Sequence, residues 1–293
     1  MLLGWGEFLF QPRRLPQATM QALSAADTTV IRGITVRRGP AREACFTVVE
    51  ENSKLSFNAD PDFEKGKDMS EGMRRNRIHT HMHNEMQNLE IAAQTLVDFA
   101  DAPWELRMEL ARQCWDESRH SGVLLRRLQE MGGHKGEFPV MHYEWNITCM
   151  QDSLAARLAI QNRTFEGGEM DILKVHVQLW RDAGDEVTAG LLEGILSDEI
   201  HHVRFANVWL KRLAKDDPRI LLKVLTGISF MKWVSTVFAP TPDDVNASGA
   251  RVADTVHPNP TNVEDRRLAE FTDQEIGELL RQDGFGHIVP RPA

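Results

Sequence analysis

The sequence is poor in cysteine, contains a single tyrosine and has no long apolar run. Its three cysteines, Cys45, Cys114 and Cys149, stand at spacings that suit neither a disulfide framework nor a zinc site. Every apolar run is far shorter than the roughly 20 residues that a membrane-spanning helix needs. The first residues include neither a basic segment nor a cleavage site typical of a signal peptide. We therefore predict a cytoplasmic protein without a membrane partner.

Positive charge is also scarce. The chain has 34 Lys and Arg against 43 Asp and Glu, which gives a formal net charge of −9. A surface that binds nucleic acid needs clustered Lys and Arg, and only the local group Arg74, Arg75 and Arg77 resembles one. The charge balance therefore counts against a nucleic-acid partner.

The composition divides the chain into three zones. Residues 28–36 and 45–49 are rich in β-branched side chains, so we predict an N-terminal arm with short helical and strand elements. Apolar residues then recur with a helical period, and a Pro- and Asp-rich linker follows. Thr272 and Glu275 form a capping box that predicts a last short helix. The predicted zones are 1–69 (arm), 70–239 (helical bundle) and 240–293 (linker and C-terminal helix).

The central zone reads as a series of helices separated by Pro and Gly. We predict breaks at Asp101-Ala102-Pro103, with Asp101 as a cap, and at the Gly132-Gly133 and Gly167-Gly168 pairs. The last helix of the zone is apolar enough to pack on the outside of a bundle, which favours a homodimer. The predicted helices span about 70–100, Pro103 to Gly132, 143–166, 170–182, 185–213 and 218–238.

Two Glu-x-x-His pairs carry the most information about function. Each is preceded by Asp, lies within an apolar-periodic segment, and has a lone Glu about one helix length upstream. Residues three apart share one face of a helix, so one helix can present a carboxylate and an imidazole to the same ions. The predicted metal ligands are Glu85, Glu117 and His120 in the first set and Glu166, Glu199 and His202 in the second.

The charge of these residues supports a metal site. The neighbours seven residues from each glutamate, two turns along each helix, are aliphatic or small, so the carboxylates are expected in a core. Buried carboxylates are costly unless they are paired or bound to metal, and four together would repel one another. Two divalent ions balance four carboxylates. Salt bridges to Arg163 or Arg204 are the alternative, and we prefer the metal hypothesis.

This order of ligands resembles the ferritin-like di-iron carboxylate superfamily. Residues of about 79–240 are similar to an uncharacterised bacterial family of ferritin-like proteins of unknown function. The resemblance implies an all-α, ferritin-like four-helix bundle with a central di-metal site, flanking helices and terminal extensions. It also implies that Glu117 and Glu199 bridge the metals, that Glu85 and Glu166 are terminal ligands, and that each metal takes one histidine. The matching segments are His83–Gln87, Asp116–His120, Phe165–Asp171 and Asp198–Val203.

Several further residues are candidates for supporting roles. Asp116 and Asp198 can orient a ligand histidine, since metal-bound imidazoles usually donate to a carboxylate, or can simply face solvent. Glu169 is either an extra ligand or a solvent-facing residue. Tyr143 either takes part in redox or substrate contact or caps the bundle end.

Some neighbouring residues fit the pattern less well. Glu90 rivals Glu85 as the first ligand, but five residues place it far round the helix, so we prefer Glu85. Among the nearby histidines, we expect His83 beside the ligands and His79 and His81 on the surface.

Carboxylate-rich ligation suits Fe or Mn rather than a thiolate-bound zinc. We therefore expect two Fe ions, with Mn/Fe as an alternative, in an O2-dependent oxidase or oxygenase that hydroxylates, desaturates or N-oxygenates a small organic substrate. Electrons would come from an external donor or the substrate, since the chain has no Rossmann or flavin motif. The alternatives are a ferroxidase or iron-handling protein, a ferritin-like hydroxylase of a modified tRNA, and a metal-free interaction module. The expected apolar lining of the site is Leu89, Leu124, Leu158 and Leu192.

Overall fold

The computed structural model describes most of the chain between residues 28 and 281, and it is built almost entirely of helices. This confirms the prediction of an all-α protein. The predicted helical start of the arm and most of the Pro-rich linker lie outside the described residues. The described residues are 28–31, 34–37, 39, 42–48, 69–238 and 260–281.

Long helices follow a short antiparallel hairpin, in which Thr28 pairs with Arg37 and Ile31 with Ile34. One of the helical elements, Gln161–Glu166, is a π-helix, which has a wider turn than an α-helix. The strands are β1 (Thr28–Ile31) and β2 (Ile34–Arg37). The helices are α1 (Glu71–Asp98), α2 (Trp104–Glu130), α3 (Tyr143–Cys149), α4 (Leu154–Ile160), the π-helix (Gln161–Glu166), α5 (Gly167–Asp182), α6 (Glu186–Asp216), α7 (Ile220–Phe238), α8 (Val263–Leu268) and α9 (Asp273–Arg281).

The ends of the long helices mostly follow the predicted signals. Pro103, not Asp101, occupies the N-cap position of α2, with φ −50° and ψ 137°, and this end of the helix has no side-chain capping hydrogen bond. Beyond the end of α2, Gly132 adopts a positive φ of 79°, a conformation that glycine reaches without steric cost. Asp185 caps α6 by accepting a hydrogen bond from the Thr188 N–H at 2.9 Å.

The expected break at Gly167-Gly168 is wrong. Gly167 has helical angles, φ −58° and ψ −38°, and the π-helix runs directly into α5. The interruption lies earlier, at residues 150–153 between α3 and α4. A Cβ on Gly167 would lie 3.3 Å from Nη1 of Arg266. Glycine at this position therefore permits a close tertiary contact and does not mark a helix end.

The C-terminal part contains one helix that the sequence did not reveal and one that it did. Asn262 caps the short helix α8 by accepting from the Asp265 N–H at 3.3 Å. The predicted capping box of α9 is confirmed, because the Thr272 N–H donates to Glu275 Oε2 at 2.8 Å and the Glu275 N–H donates to Thr272 Oγ1 at 3.3 Å.

The chain divides into two compact units. The first consists of the described parts of residues 1–51 together with 75–154, and the second of the described parts of 52–74 together with 155–293. In the first unit Leu89, Ala92 and Cys114 form one buried cluster, and Trp145 packs with Ile91 and Cys149 in another. In the second unit α5 packs along α6. Burial of each large aliphatic side chain in these cores contributes about 1.5–3 kcal/mol to stability.

Helix α7 begins with an open apolar face. The exposed fractions of Leu221, Leu222 and Leu225 are 53 %, 65 % and 60 %. No helix within the described ranges is both long and apolar enough to cross a membrane. The homodimer stays a prediction.

Candidate metal centre

The first three predicted ligands form one buried group in the first unit. Glu85 of α1 and Glu117 and His120 of α2 are each completely inaccessible to solvent. Nδ1 of His120 lies 3.3 Å from Glu85 Oε2 and 3.2 Å from Glu117 Oε2. One ligand atom from each residue lies within 4.8 Å of the other two, which is compatible with a shared metal ion. We call Glu85, Glu117 and His120 the first triad.

Local helix geometry explains part of this arrangement. Glu117 and His120 are three residues apart and therefore lie on one face of α2. Gln113, one turn earlier on that face, donates from Nε2 to Glu117 Oε1 at 3.4 Å. The amide thereby restricts the carboxylate to an orientation that faces His120.

Glu90, the rival of Glu85, has a different partner. It is also buried, with 2 % exposure, but Arg42 donates to both of its carboxylate oxygens at 2.5 and 2.6 Å. Burial raises the pKa of Glu90, while the Arg42 guanidinium acts in the opposite direction. The charge of Glu90 is thus compensated by an arginine, whereas Glu85 lies against His120.

The remaining three predicted ligands form a matching group in the second unit. Glu166 ends the π-helix, Glu199 and His202 lie on one face of α6, and all three are fully buried. Nδ1 of His202 lies 3.2 Å from Glu199 Oε2, and each residue has a ligand atom within 4.8 Å of the others. We call these residues the second triad.

The sequence predicts neither the π-helix nor the role of Asn162. This buried amide donates from Nδ2 to Glu166 Oε2 at 2.9 Å. The Thr164 hydroxyl donates to the Ala159 carbonyl at 2.8 Å, five residues back, which matches the wider turn. π-helices are rare in proteins, and those that do occur often lie at functional sites. The available signal was Asn162 itself, a polar residue in an otherwise apolar inward stripe.

The other candidate residues lie in more polar surroundings. Asp116 is within ion-pair distance of Arg112, at 3.5 Å, and of Arg119, at 3.4 Å, both on its own helix. Arg119 Nη2 in turn lies 3.4 Å from His120 Nε2. The half-buried candidates are Tyr143, Glu169 and Asp198, and their roles stay predictions.

The expectation that His79 and His81 lie on the surface is wrong. They are 0 % and 7 % exposed. The loop after α2 covers His79, and the Gly136 N–H in this loop donates to His79 Nε2 at 3.0 Å. Burial lowers the pKa of His79 to about 4 and that of His142 to about 3. Both imidazoles are therefore neutral at pH 7.

The two arginines considered as alternatives to metal have other partners. Arg163 donates to Glu275 Oε1 at 2.5 Å and to the Asn207 side-chain oxygen. Arg204 lies 3.7 Å from Glu270. Both terminal nitrogens of Arg163 are thus engaged by residues outside the second triad.

Sequence comparison places the chain in a family. A family described as "Protein of unknown function (DUF455)" matches residues 13–277. No curated protein and no solved structure shows significant similarity to the chain. Because the match covers most of the chain, the protein belongs to DUF455, a family of proteins of unknown function.

Proposed function

We propose that the six predicted ligands of the two triads hold two iron ions and that the protein is a ferritin-like four-helix bundle. On this proposal the protein is an O2-dependent oxidase or oxygenase that hydroxylates, desaturates or N-oxygenates a small organic substrate. The observation that supports it best is the complete burial of four carboxylates and two imidazoles in two compact groups.

The charge of these groups supports the presence of cations. A carboxylate that loses its hydration without gaining a partner costs several kcal/mol, and neighbouring carboxylates raise that cost. Two divalent ions supply four positive charges for the four carboxylates. Bound ions would also account for four glutamates at buried positions where aliphatic residues would be more stable.

The donor set decides which metal fits. Each triad offers two carboxylates and one imidazole, all within 4.8 Å, and contains no thiolate. Such hard, oxygen-rich donors favour iron or manganese in the +2 and +3 states, so Mn/Fe also fits. When bound, two irons supply the electrons that activate O2 for the oxidation of an organic molecule, and an external donor or the substrate restores them.

The protein side chains then have distinct tasks. On this proposal Glu85, Glu117, Glu166 and Glu199 would supply the carboxylate ligands of the two ions. His120 and His202 bind in the neutral form, so metal affinity falls at acidic pH. The Asn162 amide orients Glu166. The four leucines expected to line the site are buried, and on this proposal they would keep water from the metals, namely Leu89, Leu124, Leu158 and Leu192.

The test is anaerobic loading of the metal-free protein with Fe(II), measurement of the iron-to-protein ratio, and one exposure to air while absorbance is followed. We expect two irons per chain and a transient absorption band. Two irons with slow, featureless oxidation would instead indicate an iron-handling protein. Absence of stoichiometric metal would overturn the proposal.

A further inference from the structure

Residues 260–281, which we call the C-terminal segment, bind the backbone beside Glu166. Arg266 Nη2 donates to the Gly167 carbonyl and to Asp171 Oδ2, both at 2.7 Å, and Nε donates to Asp171 Oδ1 at 3.1 Å. Arg266 and Asp171 are 4 % and 0 % exposed. One buried guanidinium therefore connects α8 to the residue that follows Glu166 and to the next turn of α5.

This connection is strong and directional. The Asn262 N–H adds a hydrogen bond of 2.7 Å to Asp171 Oδ1, so two groups of the C-terminal segment hold one carboxylate. Loss of one partner from a buried ion pair leaves an uncompensated charge, which is far more costly than loss of a surface pair. Bidentate contacts of arginine also fix orientation in a way that lysine does not reproduce.

A second connection reaches the π-helix from the other side. Arg163, three residues before Glu166, donates to Glu275 of the C-terminal segment and to Asn207 of α6. Asn207 Nδ2 donates to the Ala269 carbonyl at 2.6 Å. Both guanidiniums lie over the ring of Phe271, with the central carbon of Arg163 4.4 Å and that of Arg266 4.9 Å from the ring centroid.

These contacts bracket one candidate ligand. Arg163 holds the π-helix before Glu166, and Arg266 holds the backbone immediately after it. Asn207 lies on α6, the helix that carries Glu199 and His202, so the same network ties the π-helix to the other two members of the second triad. The buried charged side chains of this network therefore fix the positions of the π-helix, α5 and α6 relative to one another.

We propose that Arg266 and Arg163 are positioning residues that hold the π-helix so that Glu166 reaches the metal. The inference rests on the proposed function, because it takes Glu166 as a ligand. On this proposal the C-terminal segment raises the metal affinity of the second triad and leaves that of the first triad unchanged.

The experiment is an anaerobic Mn(II) titration of the full chain, followed by electron paramagnetic resonance, on wild type, Arg266→Gln and Arg267→Gln. Arg267 is a matched control, since it follows in the same helix but is exposed and pairs at the surface with Asp273. We expect Arg267→Gln to bind two Mn(II) as a coupled pair, like wild type. Arg266→Gln should keep one tight Mn(II) and bind the second about 10- to 100-fold more weakly. Its spectrum should show the hyperfine pattern of isolated Mn(II).

A second variant covers the case in which Arg266→Gln does not fold. Gly167→Ala keeps every polar group but places a methyl group 3.3 Å from Arg266 Nη1, so it should weaken the second metal in the same direction by a smaller factor. Wild type that binds no stoichiometric metal would overturn the proposed function itself. Wild type with two metals and unchanged affinities in both variants would overturn only the positioning role. The positioning role would also be overturned if Arg266→Gln lost both metals equally and melted at a lower temperature, while Gly167→Ala behaved like wild type.

Discussion

Two buried glutamates of α1, Glu85 and Glu90, differ in the side chains that lie beside them, and this difference distinguishes a candidate ligand from a structural residue. Glu90 accepts two hydrogen bonds from the Arg42 guanidinium, while Glu85 lies 3.3 Å from the His120 imidazole. An arginine compensates a carboxylate permanently. A carboxylate grouped with another carboxylate and an imidazole is compensated fully only when a cation binds, which makes the first triad a candidate site and Glu90 a structural residue.

The triad carboxylates should oppose folding when no metal is bound. We expect Glu117→Gln to raise the free energy of unfolding of the metal-free protein by about 1–2 kcal/mol, because it removes one buried negative charge. The same variant should lose the stabilisation that Fe(II) or Mn(II) confers on wild type. Denaturant unfolding with and without metal measures both effects.

The control for this prediction is Glu193→Gln on α6. Glu193 is exposed and pairs with Arg181 at 2.8 Å, so its removal should leave both metal binding and stability nearly unchanged. Full metal binding in both Glu117→Ala and His202→Ala would contradict the assignment of the ligands.

His79 should make stability depend on pH below neutrality. Burial holds its pKa near 4 in the folded protein, against 6.5 when exposed, so the unfolded chain binds more protons between these values. Stability should therefore fall as pH drops from 6.5 to 4. His79→Gln should reduce this slope by about 1.4 kcal/mol per pH unit, as measured by chemical denaturation across that range.

The matched control is His134→Gln, since His134 is exposed in the same unit. It should change the slope much less than His79→Gln. A slope that is identical in wild type and His79→Gln would contradict the burial of a neutral imidazole.

At the scale of elements, the helices that the sequence revealed are the long amphipathic ones. α1, α2 and α6 were predicted to within a few residues because their apolar period and caps are local signals. The π-helix and α8 were not predicted. A π-helix has no composition of its own, and α8 has only six residues, beside a Pro-rich stretch that resembles a linker.

The start of α6 gives a prediction at this scale. Asp185 accepts from both the backbone N–H and the hydroxyl of Thr188, each at 2.9 Å. Asp185→Ala should lower the free energy of unfolding by about 1 kcal/mol through loss of the cap. Asp182→Ala is the control, because Asp182 is exposed and accepts a side-chain hydrogen bond from Gln178 at 2.7 Å. Equal effects of the two variants would contradict the capping role.

At the scale of the whole molecule, metal binding and folding are linked. A ligand that binds only the folded state stabilises it by RT ln(1 + [L]/Kd), about 2.7 kcal/mol at a hundredfold excess over Kd. We expect the melting temperature to rise steadily with Fe(II) or Mn(II) under anaerobic conditions and to fall when a chelator removes the metal. Mg(II), which prefers an all-oxygen octahedral shell, should have a smaller effect. A melting temperature that is independent of metal would contradict the proposed centre.

Local sequence by itself determined the long helices and the six residues that share buried helix faces, because helical period and i, i+3 spacing depend only on neighbours in the chain. Only the tertiary structure decided which buried charges pair with protein groups. Arg42 is 48 residues from Glu90, and Arg266 is 95 residues from Asp171. The tertiary structure also accounts for the glycine at position 167, because the Arg266 guanidinium that lies close to it comes from a helix distant in the sequence. Contacts between such distant segments arise from the packing of the folded chain, and no local pattern carries them.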